Sequence, residues 1–136
     1  MRVLITAGNT RERIDSVRDW GNIFTGNTGL SIAKAIGHVC PVDLLTSNRH
    51  HIAVLEHYQS PQPIMASAFT THAELKGALS ALLSRTAYDA VFMTAAVSDY
   101  KPAGTYAIVS RAPASDAMGK ERWLVQDVSA GKVKST

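Results

Sequence analysis

Four short apolar runs, separated by helix-patterned or polar segments, constrain this chain more than any other feature. Arg2-Val3-Leu4-Ile5-Thr6 is β-branched and apolar and closes at Gly8, and Val42-Asp43-Leu44-Leu45-Thr46 repeats the pattern. Ile64 to Phe69 is a weaker version interrupted by small residues, and Tyr88 to Thr94 is the fourth run. Short continuous apolar runs are what strands covered on both faces of a parallel sheet require. Between the first two, a segment starting near Asn27-Thr28 places Leu30, Ala33 and Ile36 on one face and stops at Gly37, as a short amphipathic helix does. Thr71-His72-Ala73-Glu74 has the spacing of a capping box, followed by Leu75, Leu79, Leu82 and Leu83 on one stripe up to Arg85. Strands alternating with helices imply right-handed crossovers, so the predicted class is α/β: a Rossmann-like, mostly parallel sheet with flanking helices. The stretch between Thr46 and Ile64 reads only as polar and rich in His and Pro.

With 136 residues, 46% of them hydrophobic, the chain buries one core, so residues 1–136 are read as a single domain. Residues 103–131 differ in character, being small and polar around Pro113 and Gly119, with Trp123-Leu124-Val125 as the one apolar cluster. A flap or hairpin arm is expected there. Four strands are few for a doubly wound sheet, so the fold reads as incomplete at its C-terminus, the front portion of something longer. Met1 to Ala7 is too short for a signal core or a membrane span, and a soluble cytoplasmic protein is expected. Cys40 is the single cysteine and fits a small buried hydrophobe in a reducing compartment. The net charge of +3 suits a phosphate-rich ligand, but the basic residues are scattered, which disfavours nucleic acid. His38, His50, His51, His57 and His72 show neither HxxxH nor HExxH spacing, so no metal held by protein side chains is expected, and the imidazoles read as surface and loop groups.

The chemistry concentrates where strands should end. Thr6-Ala7-Gly8-Asn9-Thr10-Arg11-Glu12 follows the first apolar run, and Thr94-Ala95-Ala96-Val97-Ser98-Asp99-Tyr100 follows the last. In an open α/β sheet that is the edge where ligands bind. The connection from Gly8 to Gly26 is long for a compact domain, and its Trp20, Ile23 and Phe24 argue against disorder, so it is expected to fold over a ligand. Its end, Asn22-Ile23-Phe24-Thr25-Gly26-Asn27-Thr28-Gly29, runs into a helix start, where free N–H groups and the helix dipole favour an anion. The alternative is a plain turn with Asn27 or Thr28 as N-cap. Neither GxxxxGK[ST] nor GxGxxG is present, so hydride chemistry on a dinucleotide loses its main support.

Val3 to Arg18 resembles the opening of phosphopantothenate–cysteine ligases, which read ITxGGTxExIDxVR. Three further blocks agree in order: Asn22 to Gly29 resembles the NxSSGxxG loop, Ala95 to Tyr100 the AAVxDY segment, and Lys132-Val133-Lys134-Ser135 the lysine loop. The resemblance implies coenzyme A biosynthesis. The carboxylate of 4'-phosphopantothenate attacks the α-phosphate of CTP, or of ATP in many eukaryotic members, pyrophosphate leaves, and the cysteine amine opens the acyl-nucleotide. Asn22 and Lys132 are the implied catalytic residues. Gly8, Asn9, Thr10, Ala95, Ala96, Asp99 and Lys132 are the implied nucleotide contacts, and Asn22, Thr25, Gly26, Asn27, Thr28 and Gly29 the substrate and phosphate contacts. Mg²⁺ would arrive with the nucleotide, no flavin would bind this domain, and the implied partners are a second copy in a homodimer and a separate flavin-dependent decarboxylase.

Departures from the pattern are local. Asn9 replaces the second glycine of GGT, which is tolerable at a positive φ, and Phe24 stands where a serine is usual while Thr25 keeps a hydroxyl. By the resemblance, about a hundred further residues would follow. A nucleotide-binding module without ligase activity would carry the same loops. Asp99 also suits a turn cap, and Asp15 with Arg18 suits an ion pair that fastens the loop.

Overall fold

A computed structural model of the chain describes residues 1–113 and 120–131. The elements run β1 (Val3–Ala7), β2 (Arg11–Arg13), β3 (Asp19–Gly21), α1 (Asn27–Ile36), β4 (Val42–Thr46), α2 (Arg49–Glu56), β5 (Ile64–Ala68), α3 (His72–Arg85), β6 (Ala90–Met93), β7 (Tyr106–Ala112) and β8 (Arg122–Asp127). They fall into two compact units, one of Met1–Glu12 with Gly21–Asp99 and one of Arg13–Trp20 with Tyr100–Thr136.

The first unit is built on a four-stranded sheet in the order β5-β4-β1-β6, with β1 parallel to both its neighbours and β4 parallel to β5. This is the predicted Rossmann-like α/β architecture. Strands β1 and β4 are buried along their whole length, as expected of apolar runs at the centre of a parallel sheet. Alternate residues feed the two faces. Val3, Ile5, Ala7, Val42 and Leu44 pack with Ala33, Leu30 and Ile36 of α1 and with Leu55 of α2. Leu4 and Leu45 pack with Phe69 and with Leu75, Leu79 and Leu82 of α3. Each fully buried leucine or isoleucine contributes about 1.5–3 kcal/mol relative to an exposed one.

One charge interrupts this core. Asp43, on β4, accepts two bonds of 2.8 Å from the Arg2 guanidinium and one from the Tyr88 hydroxyl. Burial, the largest single influence, pushes its carboxyl pKa up, but the Arg2 and Tyr88 hydrogen bonds and the Arg2 charge together hold it below the ordinary aspartate value.

Three expectations need correction here. The polar stretch after Thr46 holds α2: Asn48, in extended conformation, accepts from His50 N and starts the helix. A composition dominated by His and Pro concealed an eight-residue helix that a cap residue announces. The connection from Gly8 to Gly26 is not all turn, because β2 and β3 pair within it as a two-stranded sheet. His51 is no surface imidazole, being 1% exposed.

In the second unit, β7 and β8 form the expected hairpin arm, antiparallel, with an irregularity between Ile108 and Ser110. Both strands are exposed throughout. The Arg111 guanidinium lies 5.3 Å from the Trp123 ring centre, close enough for a cation–π contact. Asp15 is buried and accepts from Val17 N, Arg18 N and the Arg18 side chain, the loop-fastening pair read from the sequence.

Candidate functional site

The chain order β1-α1-β4-α2-β5-α3-β6 lays successive strands outward on one side of β1 and then returns to the other, so the strand order reverses between β1 and β6. The carboxyl ends of strands at such a reversal form the ligand crevice of open α/β sheets. Here a cleft of about 350 Å³ opens at that point, lined by Gly8, Phe24, Thr25, Gly26, Asn27, Thr28, Thr94, Ala95 and Ala96. Every one of these except Phe24 and Thr94 belongs to the site residues read from the sequence.

Two glycines set its floor. Gly8 has φ 89° and Gly26 has φ 79°, the only positive values among the described residues, and a Cβ on Gly26 would land on the Gly8 backbone. Helix α1 therefore starts in main-chain contact with the end of β1, which a side chain at Gly26 would not permit, while a Cβ on Gly8 would strike Ser47. One turn on, Gly29 keeps the approach close, since a Cβ there would meet Ala7 Cβ at 2.6 Å and Thr94 Oγ1 at 2.7 Å. Gly26 is the N-cap and no side chain caps the first turn of α1, so the plain turn capped by Asn27 or Thr28 is not what forms. The turn also carries no acidic residue, which leaves its amide partial charges available to an anion.

The two loop blocks are joined by backbone and side-chain bonds. Ala96 N donates to Gly8 O at 2.8 Å and Thr10 N to Ala96 O at 3.1 Å, extending the β1–β6 pairing past the strands. Asn9 Nδ2 donates to Asn22 O at 2.5 Å, and Asn22 Nδ2 reaches Ala96 O at 3.4 Å. Thr94 Oγ1 donates to Thr6 O at 2.6 Å, and the Thr6 hydroxyl accepts from Ala95 N at 3.2 Å. Asn22, the Gly8 turn and Ala96 thus meet at one place.

Other predicted residues hold the frame rather than face the cleft. Thr10 is fully buried and its hydroxyl accepts from Ser98 N at 2.8 Å. Asn9 does not occupy a positive φ; its side chain instead bonds Asn22 and Ser47, whose hydroxyl also accepts from Asn9 N at 2.8 Å. Gly29 is buried against the sheet edge. Asp99 is exposed and lines neither this cleft nor the larger one beside it. Lys132 lies outside the described residues.

A buried polar cluster supports the loop from below, and sequence reading missed it. His51 Nδ1 lies 2.9 Å from Thr46 Oγ1 and its Nε2 lies 3.1 Å from Asn27 Oδ1. Thr46 Oγ1 also accepts from Asn48 N at 3.1 Å, and Asn48 Nδ2 lies 3.2 Å from His51 Nε2, so both ring nitrogens have polar partners. Asn48 Nδ2 donates to Thr25 O at 3.1 Å. Burial, then the nearby charges of His50 and Lys34, push the imidazole pKa down from 6.5, so the ring is neutral where the cluster needs it. The Asn48 cap was the available signal: it starts a helix whose third residue, His51, must point inward.

The family described as DNA/pantothenate metabolism flavoprotein C-terminal domain matches residues 1–112. The chain is similar to the coenzyme A biosynthesis bifunctional protein CoaBC of Vibrio cholerae, 32% identical over 101 residues that cover 74% of this chain and 23% of that protein. The protein of the same name from Mycolicibacterium smegmatis is 29% identical over 138 residues, 99% of this chain and 31% of that one. The chain therefore spans under a third of the length of these curated relatives. Among solved structures, the C-terminal domain of CoaBC shares 30% identity with a TM-score of 0.59, covering 75% of this chain and 48% of that chain. A Cab2 variant in complex with phosphopantothenate-cysteine, at 18% identity and TM-score 0.57 over 93% of this chain and 56% of that one, shares the fold.

Proposed function

The chain belongs to the DNA/pantothenate metabolism flavoprotein C-terminal domain family, and on that premise we propose that it carries the front portion of a ligase joining 4'-phosphopantothenate to cysteine in coenzyme A biosynthesis. In this reading residues 1–136 form one nucleotide- and phosphopantothenate-binding domain. The substrate carboxylate attacks the α-phosphate of CTP, with ATP as the other nucleotide, and pyrophosphate leaves. The cysteine amine then attacks the acyl carbonyl and CMP leaves. The relatives' shared place in coenzyme A biosynthesis supports this, as does the name of the Cab2 complex. The single observation that carries it is the uncapped start of α1, set against Gly8 and facing Ala95 and Ala96 in one cleft.

The roles follow from residue chemistry. Charge grows on the phosphoryl oxygens as the carboxylate attacks, and amides fixed at Gly26 to Gly29 stabilise it without reorganising. Asn22 offers a neutral amide beside Ala96, able to orient an acyl carbonyl without competing as a nucleophile. Gly8, Asn9, Thr10, Ala95, Ala96 and Asp99 frame the nucleotide side, and Lys132 closes over its phosphate. Mg²⁺ arrives on the nucleotide. The β7–β8 arm, with Trp123, Leu124 and Val125 exposed, is the surface for homodimer pairing, a separate flavin-dependent decarboxylase takes the product, and the setting is the cytoplasm. Among the described residues no helix is long and apolar enough to cross a membrane.

A second reading is a nucleotide-binding module without ligase activity, which would carry the same Gly8 and Asn22 loops. Isothermal titration with CTP and with ATP, each with Mg²⁺, followed by an assay of pyrophosphate release on adding phosphopantothenate, separates the two. The ligase reading expects saturable binding of one nucleotide, weakened in Lys132→Ala, and release of pyrophosphate. Binding without release leaves the module, and a folded chain that binds neither nucleotide overturns both.

A further inference from the structure

On the far side of the Asn22–Thr25 segment, a larger cleft of about 470 Å³ lies between that segment and the start of α2. Its walls include Arg11, Arg49, His50, Asn9, Ser47 and Asn48, and no aspartate or glutamate lines it. Among the described residues, the ion pairs join the N-terminus to Asp89, Arg2 to Asp43 and Arg18 to Asp15, and none engages Arg11 or Arg49. Two arginines therefore line one concave surface whose lining holds no carboxylate. The polar wall between them is already ordered, since Ser47 and Asn9 bond one another and Asn48 is tied to Thr25 O and His50 N. Helix α2 begins at the same edge and adds its positive dipole end. Phe24 and Thr25 line both this cleft and the cleft at α1, so one strap borders both.

We propose that the Arg11–Arg49 cleft is a second anion site, separate from the start of α1, that takes the dianionic phosphate of a phosphate monoester. Guanidinium forks match phosphate oxygens in pairs and stay charged at every physiological pH. At the carboxyl end of the second strand of a doubly wound sheet, an arginine is also the group that accommodates a phosphate on a bound ligand's sugar. Nothing in this assignment depends on the ligase reading.

The test is an amide-resolved titration of the isotopically labelled full chain, at constant ionic strength, with inorganic phosphate and separately with CMP. Saturable shifts at the amides of residues 47–50 are expected. In Arg11→Gln/Arg49→Gln the dissociation constant there rises by about tenfold or more, the value of losing charge-assisted bonds, while the response of residues 26–29 is unchanged. Arg49→Lys, which keeps charge and loses the fork, falls between. CMP binding more tightly than phosphate names a nucleotide as the source of the monoester, and equal affinity names a non-nucleotide phosphate; both support the site. Absence of saturation at residues 47–50 with either probe, or an unaltered response in a folded double variant, overturns it. Failure of the ligase reading shows separately, as loss of the CTP response at residues 26–29.

Discussion

Helices α1 and α3 face the same physical problem and solve it in opposite ways. Each begins with backbone N–H groups that have no partner inside the helix. At α3 the Thr71 hydroxyl accepts from Glu74 N at 3.2 Å, and the Glu74 carboxylate accepts from Thr70 N at 2.7 Å and Thr71 N at 3.4 Å. That start is closed on itself. At α1 the cap is a left-handed glycine, no side chain turns back, and the first turn contains no acid. A glycine cap forgoes only a few tenths of a kcal/mol relative to a serine or asparagine, and it leaves the first-turn amides of α1 open where those of α3 are closed by Thr71.

The sharpest way to break this comparison is Asn22→Ala. It removes the side-chain amide nearest Ala96, and the proposal expects a fall in pyrophosphate and CMP formation of about 10²- to 10³-fold. Because Asn22 is exposed, thermal stability should stay within about 0.5 kcal/mol, and an unchanged rate would remove Asn22 from the chemistry. Gly26→Ala comes next. A left-handed φ and a Cβ pressed on the Gly8 backbone should cost about 1–3 kcal/mol in denaturant unfolding, together with nucleotide binding.

His51 gives a pH signature. Its folded pKa is depressed from 6.5, so below that value the unfolded chain binds a proton that the folded chain does not. Stability should fall as pH drops from about 6.5 toward the folded pKa, by up to about 1.4 kcal/mol per pH unit. His51→Gln should flatten that slope, and a wild-type curve without it would mean that the imidazole is free to protonate. The smallest effect sharpens the contrast: Thr71→Ala should lose about 1 kcal/mol and leave every ligand affinity untouched, because the start of α3 serves only the fold.

The four strands of the parallel sheet were legible because each is a short apolar run, and α3 because its capping box and leucine stripe both lie in one short segment. The site's outline was legible for a different reason: Gly8, Gly26 and Gly29 are demanded by backbone approach, and that demand leaves a mark at single positions. Helix α2 was not legible, since its most buried residue is a histidine and its first turn, Arg49-His50-His51, is as polar as a loop. Nor was the use of Asn9, whose side chain bonds Asn22 and Ser47 across distances in sequence that no local pattern encodes. Buried polar partnerships of this kind are specified by the assembled fold and become visible only in it.

Gly8 and Gly26 touch through main chain alone, and this bears on how the site can vary over evolutionary time. The spacing between strand end and helix start is not a sum of side-chain volumes, so repacking of the core can proceed without retuning it. A neighbour such as Phe24 can vary without moving that contact, as a phenylalanine in a position where serine is usual illustrates. Gly26, by contrast, is pinned: a side chain gained there would strike the Gly8 main chain, which has nothing left to give up, whereas one gained at Gly8 would press on Ser47.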